Sequence, residues 1–356
     1  MYGKNTFKSS KPSFMSLYIN SLRNDQVLNS FNFARKSNVV YSEVVSKSQF
    51  EILKNNNLQV IEESRDYIFY KVKEFELKEN DIIFSNLFIV NDLFYELNKY
   101  DCYKNIKLIT HQSDIPVNKK MFIKKPSCIS EWYSINVKDK VDGLIPIPIG
   151  LSNDYSNKNL TKKYYSRLKK VNFSEKINKL YVNFEVNTNF TERYSLIKFF
   201  SQQPWAKVET KKLSLEEYVE NLNKYKFVLC PPGNGIDTHR MWEVLYSNSV
   251  PVIRNYLTYK PTNELGVLKV NNFRYITEEL LNNYDKEATN DEKLSTDYWF
   301  DIINKNVIED AKKRILIQES DEKQKKAVLN YNNELKRLKR IKKFKTIQRK
   351  IIKKIY

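Results

Sequence analysis

Residues 226–253 read KFVLCPPGNGIDTHRMWEVLYSNSVPVI, and the order of residue types in this stretch decides the fold class. KFVLC (226–230) is a short apolar, β-favouring run that stops at Pro231 and Pro232, because neither proline can donate to a strand ladder. Gly233 and Gly235 then allow a loop whose backbone takes positive φ and comes close to a ligand. Asp237 is placed to cap a helix starting at Thr238, in which Met241, Val244 and Leu245 share one core-facing stripe at i, i+3, i+4 spacing. VPVI (250–253) follows as a second buried strand.

Outward from this unit, the pattern repeats. Upstream lie a predicted strand KLYVNF (179–184), a helix from about Thr191 to Ser201 and a helix SLEEYVENLNKY (214–225). The first half of the chain offers strands DIIFS (81–85), IKLIT (106–110) and GLIPIPIG (143–150), with a helix NDLFYELNKY (91–100) between the first two. The prolines of the third make it an edge or cleft-lining segment, and Gly150 marks a turn or a hinge. Alternating strands and helices predict α/β layering on parallel sheets. The polar text after Gly150, LSNDYSNKNLTKKYYSRLKK, separates two such units, so the expected architecture is two Rossmann-like domains.

The composition is that of a folded chain, with 41% hydrophobic and 13% aromatic residues in 356, enough for two cores. Three widely spaced cysteines (Cys102, Cys128, Cys230) fit neither a disulfide framework nor a zinc site, which suggests a reducing compartment. No run of signal-peptide or membrane-spanning type is visible, and a cytoplasmic setting is expected. The formal net charge is +19, but residues 336–354 alone hold 11 Lys and Arg and no acid. More than half of the excess is therefore a tail, and the charge of the body is a weak argument for any partner.

Arg240 and Glu243 fall outside the Met241–Val244–Leu245 stripe, one turn apart at the start of the helix. A helix amino terminus behind a glycine-bearing loop is a setting for phosphate groups, to which Arg240 would add a bidentate cation. Glu243 suits a diol such as ribose, since a carboxylate accepts from two hydroxyls. The competing reading is a surface i, i+3 ion pair, and spacing alone does not choose between the two.

The segment 227–253 resembles the C-terminal signature of exostosin-like glycosyltransferases: a strand, a Pro-Gly loop, an Asp and Arg, a Trp, a Glu and a final Pro-Val-Ile in this order. LITHQSD (108–114), IPIPIGLSN (145–153) and LYVNFEVNTNFTERYSLIKFF (180–200) are similar in order to small microbial and viral members. Asn248 stands where the family usually has Gly, a tolerable exchange because Asn also visits the left-handed region. The resemblance covers roughly residues 80–255. It implies a GT-B fold, in which two Rossmann-like domains face a cleft; with the boundary set by the polar span, residues 1–155 form the acceptor side, 156–178 a linker, 179–295 the nucleotide-sugar domain and 296–356 a helical extension with the basic tail. It implies inverting transfer from a nucleotide-sugar donor, a UDP-sugar being favoured, to a glycan or lipid-linked glycan acceptor of a surface polysaccharide, lipopolysaccharide or viral glycan. No metal and no cofactor are expected, in keeping with the lack of a D-x-D pattern in the sequence.

On this reading the donor site comprises Gly233, Asn234, Gly235, Asp237, Thr238, His239, Arg240 and Glu243, with Asn183 at a strand end. Arg193 is either a further phosphate contact or a surface neighbour of Glu192. The acceptor hydroxyl needs a general base, for which Asp114 is the first candidate, His111 its rival and Glu131 a third. A cap for Asp114 and a satisfied polar histidine for His111 are the plain alternatives. His239 is either a donor to the phosphates or a solvent-facing first-turn residue. In the tail, Leu338, Ile341, Phe344, Ile347, Ile351 and Ile355 recur at 3- and 4-residue steps. That is a basic amphipathic helix suited to peripheral contact with an anionic membrane, or one docked on the first domain with its lysines outward. A basic nucleic-acid-binding protein with a Rossmann-like scaffold is the alternative of another class, although no nucleic-acid partner is expected.

Overall fold

The computed structural model describes residues 21–100, 104–155, 157–168, 171–286, 290–305 and 314–355. Cys102 and the first twenty residues lie outside the described residues, as do the side chains of Phe344, Ile347, Ile351 and Ile355. The architecture is mixed α/β, built on two five-stranded sheets in which all pairings are parallel, as expected of Rossmann-like units.

The first sheet runs in plain sequence order: Val39–Val40, Ile82–Asn86, Ile106–His111, Ile129–Ser134 and Leu144–Pro146. The last of these is an edge strand and shorter than the predicted 143–150, since Pro146 and Pro148 lack the N–H groups to extend the ladder. Alternation along the strands divides their side chains between two cores. Ile83, Leu108 and Trp132 pack with Leu93, Phe94 and Leu97 of the crossover helix Val90–Leu97. Ile82, Phe84, Ile109 and Tyr133 belong to a cluster that includes Phe33, from helix Ser30–Lys36, and Phe300 and Ile303, from helix Thr296–Asn304.

The second sheet has the order Ala206–Val208, Ile177–Val182, Tyr225–Leu229, Val250–Arg254, Leu268–Val270, so its first strand in sequence lies between its second and third. Chain direction therefore reverses beside Ile177–Val182, which makes a topological switch point. Helix Leu215–Lys224 is started by a reciprocal Ser214–Glu217 capping box, and helix His239–Tyr246 follows the central strand. Met241, Val244 and Leu245 are fully buried as predicted, but so are Trp242 and Tyr246. One hydrophobic cluster contains these residues together with Phe84, Ile109 and Tyr133 of the first sheet, so the two halves share a core.

A three-stranded antiparallel sheet, Ser42–Ser46, Tyr67–Val72 and Leu58–Glu63, is added to the first half. Strand Ile315–Gln318 returns to this half and pairs with Glu74–Leu77. The return is fixed by a buried ion pair between Lys71 and Glu319, whose second oxygen accepts from Tyr41 Oη at 2.7 Å. The final helix, Asp321–Ile355, begins by docking here, with Ala327 and Tyr331 buried. Docking thus accounts for the start of the helix, whereas Ile341, within the basic stretch, is exposed.

Candidate functional site

The loop after strand Tyr225–Leu229 is held from below. Arg193, on helix Phe190–Phe200, donates from Nε to the Pro232 carbonyl at 3.0 Å, from Nη2 to that of Pro231 at 3.0 Å and from Nη1 to that of Glu185 at 2.7 Å. Its guanidinium is buried and spent on backbone, which gives it a structural task in place of the predicted phosphate contact. Burial, reinforced by Arg240 nearby, lowers its pKa to about 10. Gly233 and Gly235 do not adopt the predicted left-handed φ. What demands glycine is close approach: a Cβ on Gly233 would sit 3.2 Å from Arg193 Nη2, and one on Gly235 would sit 2.9 Å from Asn136 Nδ2.

Asp237 ties the halves together rather than lying open to a ligand. Its Oδ2 accepts from the Ile149 amide at 3.0 Å, its Oδ1 accepts from the Thr238 amide at 2.9 Å, and the Trp242 indole reaches both oxygens at 3.1 Å. Burial raises its pKa to about 7 against the pull of these donors. The Asp237 amide in turn donates to Asn136 Oδ1 at 2.8 Å, and His239 Nδ1 donates to the Gly150 carbonyl at 2.8 Å. Gly150 has φ +67°, and a Cβ there would fall 2.1 Å from the Leu28 carbonyl oxygen, so no other residue fits this turn.

His111 closes the same seam from the first sheet. Its Nδ1 accepts from the Gln112 amide at 2.9 Å, which leaves the proton on Nε2, 3.3 Å from the Pro148 carbonyl. It is fully buried, and burial, followed by repulsion from His239, pushes its pKa down to about 3. Neither nitrogen has a free lone pair. Glu131 is elsewhere, accepting from Tyr133 Oη at 2.9 Å and lying 4.0 Å from Lys107. Asp114 is exposed, and lies close enough to Tyr155 to add to the effect of burial in raising that phenol's pKa.

Arg240 stands in a different environment. It borders a cavity of about 450 Å³ lined by Asn183, Phe184 and Glu185 after strand Ile177–Val182, by residues 209–215 after strand Ala206–Val208, and by Tyr218, Asn157 and Lys158. This is the carboxyl end of the switch-point strands, where open α/β sheets receive ligands. The guanidinium lies over the Tyr218 ring at 5.0 Å, and its Nη1 is shut off from solvent without a hydrogen-bond partner among the described residues. Tyr218 Oη donates to Glu243 Oε2 at 2.8 Å. Burial opposes the Arg240 charge, but Tyr218 and Glu243 outweigh it and leave the pKa raised.

Glu243 was expected on the open side of its helix, but it is buried, because helix Leu215–Lys224 covers that side and Tyr165 Oη bonds to its carbonyl at 3.2 Å. It therefore supports Tyr218 and, through it, Arg240. Of the predicted donor residues the structure brings Asn183 and Arg240 to the cavity. Gly235, Asp237 and His239 lie in the seam, and Gly233 lies against Arg193; Asn234 is exposed, and Thr238 Oγ1 is buried without a partner among the described residues. Sequence reasoning missed Tyr218, Asn136, Lys158, Lys211 and Lys212. Tyr218 had a visible signal, a hydroxyl-bearing residue on the Leu215–Val219–Leu222 stripe. Among the described residues, no three His, Cys, Asp or Glu side chains are grouped to hold a metal ion, and no helix is long and apolar enough to cross a membrane.

The cavity at the switch point thus brings together Arg240, Lys158, Lys211 and Lys212. Residues 157–352, more than half of the chain, match the RXYLT1 C-terminal domain, and the chain belongs to that family. It is a family of exostosin-like glycosyltransferases, and it points to a glycosyltransferase here. A comparison with curated proteins gives no match.

Proposed function

We propose that the protein is an inverting glycosyltransferase of GT-B type that uses a nucleotide-sugar donor, a UDP-sugar in the first instance. The observation that carries this reading is the Arg240 Nη1, buried, without a partner among the described residues and beside a cavity at the switch point. A buried cationic donor without an acceptor is costly unless a ligand supplies one. A diphosphate does so, and Lys158, Lys211 and Lys212 add to its attraction. Tyr218, fixed by Glu243, holds the guanidinium from one side.

In the proposed reaction an acceptor hydroxyl oxygen forms a bond to the anomeric carbon as the bond from that carbon to the diphosphate oxygen breaks. The nucleoside diphosphate leaves with the bonding electron pair, and Arg240 stabilises its charge. The acceptor proton passes to Asp114, the candidate carboxylate that is open to solvent, without a metal ion. The basic helix beyond Leu335 is proposed to rest on an anionic membrane, which would place a lipid-linked glycan acceptor near the enzyme.

A thermal-shift series with UDP, GDP, CDP and ADP tests the donor site, since a ligand bound only by the folded state raises the melting temperature. UDP is expected to raise it most. No shift with any of the four would remove the donor assignment.

A further inference from the structure

A second cavity, of about 720 Å³, lies between the start of the described chain and the segment 151–163. Its size is that of an ordinary ligand pocket. Segment 151–163 lines both cavities, contributing Leu151, Ser152, Asn153 and Asp154 to this one and Asn157 and Lys158 to the one that holds Arg240. Tyr155, which feels the Asp114 carboxylate, belongs to the same segment.

The lining does not suit an anion, because its cations are largely committed. Arg35 is paired with Glu43 and lies over the Phe31 ring at 4.9 Å; Lys36 reaches Asp297 at 2.6 Å; and Lys162 is bonded to the Leu22 carbonyl. Lys163, exposed beside the Tyr164 ring, is the remaining cation, and the other groups of the wall are neutral or acidic. Asn153 is 4% exposed, its Oδ1 accepts from the Phe31 amide at 3.2 Å, and its Nδ2 is buried without a partner among the described residues. The bond at Oδ1 fixes which end of the amide is the donor. Asp154, exposed on the same wall, offers two acceptor oxygens, and Phe31 and Leu151 supply apolar surface. An unpaired amide donor, a carboxylate and an aromatic edge are the groups that recognise a polyhydroxylated ring.

We infer that this cavity binds the acceptor glycan through a neutral sugar unit, which receives a hydrogen bond from Asn153 Nδ2 and donates vicinal hydroxyls to Asp154. The inference rests on the glycosyltransferase reading. It gives the transfer two sites linked by one chain segment, the donor beside Arg240 and the acceptor beside Asn153.

The test is saturation-transfer NMR on the full chain with methyl glycosides of glucose, galactose, mannose, xylose and N-acetylglucosamine as probes, with and without UDP. At least one glycoside is expected to bind, without displacement by UDP. Asn153→Asp keeps the acceptor for the Phe31 amide but replaces the free donor with a carboxylate oxygen, and it should weaken that binding about tenfold. Asp154→Ala, at an exposed position, should weaken it as well and decides the matter if Asn153→Asp does not fold. The absence of any glycoside signal, or wild-type binding in the folded variants, overturns the inference; so does inorganic phosphate competing with the glycoside. The UDP thermal shift is a separate readout: its failure removes the donor reading while glycoside binding stands, and its success with no glycoside bound removes only the acceptor site.

Discussion

The carboxyl ends of the two sheets differ in a way that follows from strand order. In the first sheet every strand lies next to its predecessor, and its edge is filled by paired groups: His111 with Gln112 and Pro148, Asn136 with Asp237 and Ser113, and Gln112 with Val44 and Ser30. In the second the order reverses beside Ile177–Val182, the loops after neighbouring strands diverge, and the gap between them holds Arg240 with a free donor. Two arginines of the second unit repeat the contrast: Arg193 is saturated by carbonyls, Arg240 is not. Residue type does not separate them; the hydrogen bonds that each has spent do.

This contrast predicts opposite phenotypes. Arg193→Ala leaves three carbonyls without their donor and should cost about 3 kcal/mol of stability, read as a drop in denaturation midpoint. Arg240→Ala should shift that midpoint much less but weaken UDP binding by calorimetry about thirtyfold, near the worth of a charged bidentate contact. If the two variants behave alike, in stability or in UDP affinity, the distinction between a structural and a ligand-binding arginine fails.

The seam can be tested by pH. Asp237 has its pKa raised from 3.8 to about 7, so the folded protein holds a proton that the unfolded chain releases; the stabilisation is present below about pH 4 and is lost as pH rises to 7. His111, lowered to about 3 from 6.5, acts in the opposite sense, its stabilisation present above pH 6.5 and lost as pH falls. The two offset each other in the wild type. In Asp237→Asn only the histidine effect remains, so the stability difference between wild type and variant should fall by on the order of 3 kcal/mol from pH 4 to 7. A difference independent of pH would show that Asp237 stays ionised.

Three strands of the second sheet and the helices between them were legible because they are marked locally, whereas the short strands Ala206–Val208 and Leu268–Val270 were not read. KFVLC ends at two prolines, the Ser214 capping box opens a helix, and Asn248, with φ +57°, takes the left-handed turn expected of it. Arg240 was picked out by its place after the Pro-Gly loop together with the family resemblance, since spacing alone left a surface ion pair open. Glu243 was misread, because its burial depends on a second helix, Leu215–Lys224, crossing over it, and periodicity within one helix does not report its neighbours. The same holds for Gly235, required by Asn136 some hundred residues earlier, and for Arg193, whose acceptors are carbonyls of a loop it meets only in the fold.

The smallest effect is expected at Tyr218, and it separates two accounts of Glu243. If Glu243 binds ribose directly, Tyr218→Phe frees its oxygen and leaves ligand affinity unchanged or improved. If Glu243 acts through Tyr218, loss of the hydroxyl removes the bond at 2.8 Å while the ring under Arg240 remains. The Glu243 carboxylate is then left buried beside the guanidinium and competes with the ligand for it, so UDP affinity should fall about fivefold, or about 1 kcal/mol. Tyr218→Leu, which also removes the ring, should lose more. A Tyr218→Phe variant that binds UDP as tightly as the wild type would return Glu243 to the role of a direct ligand contact.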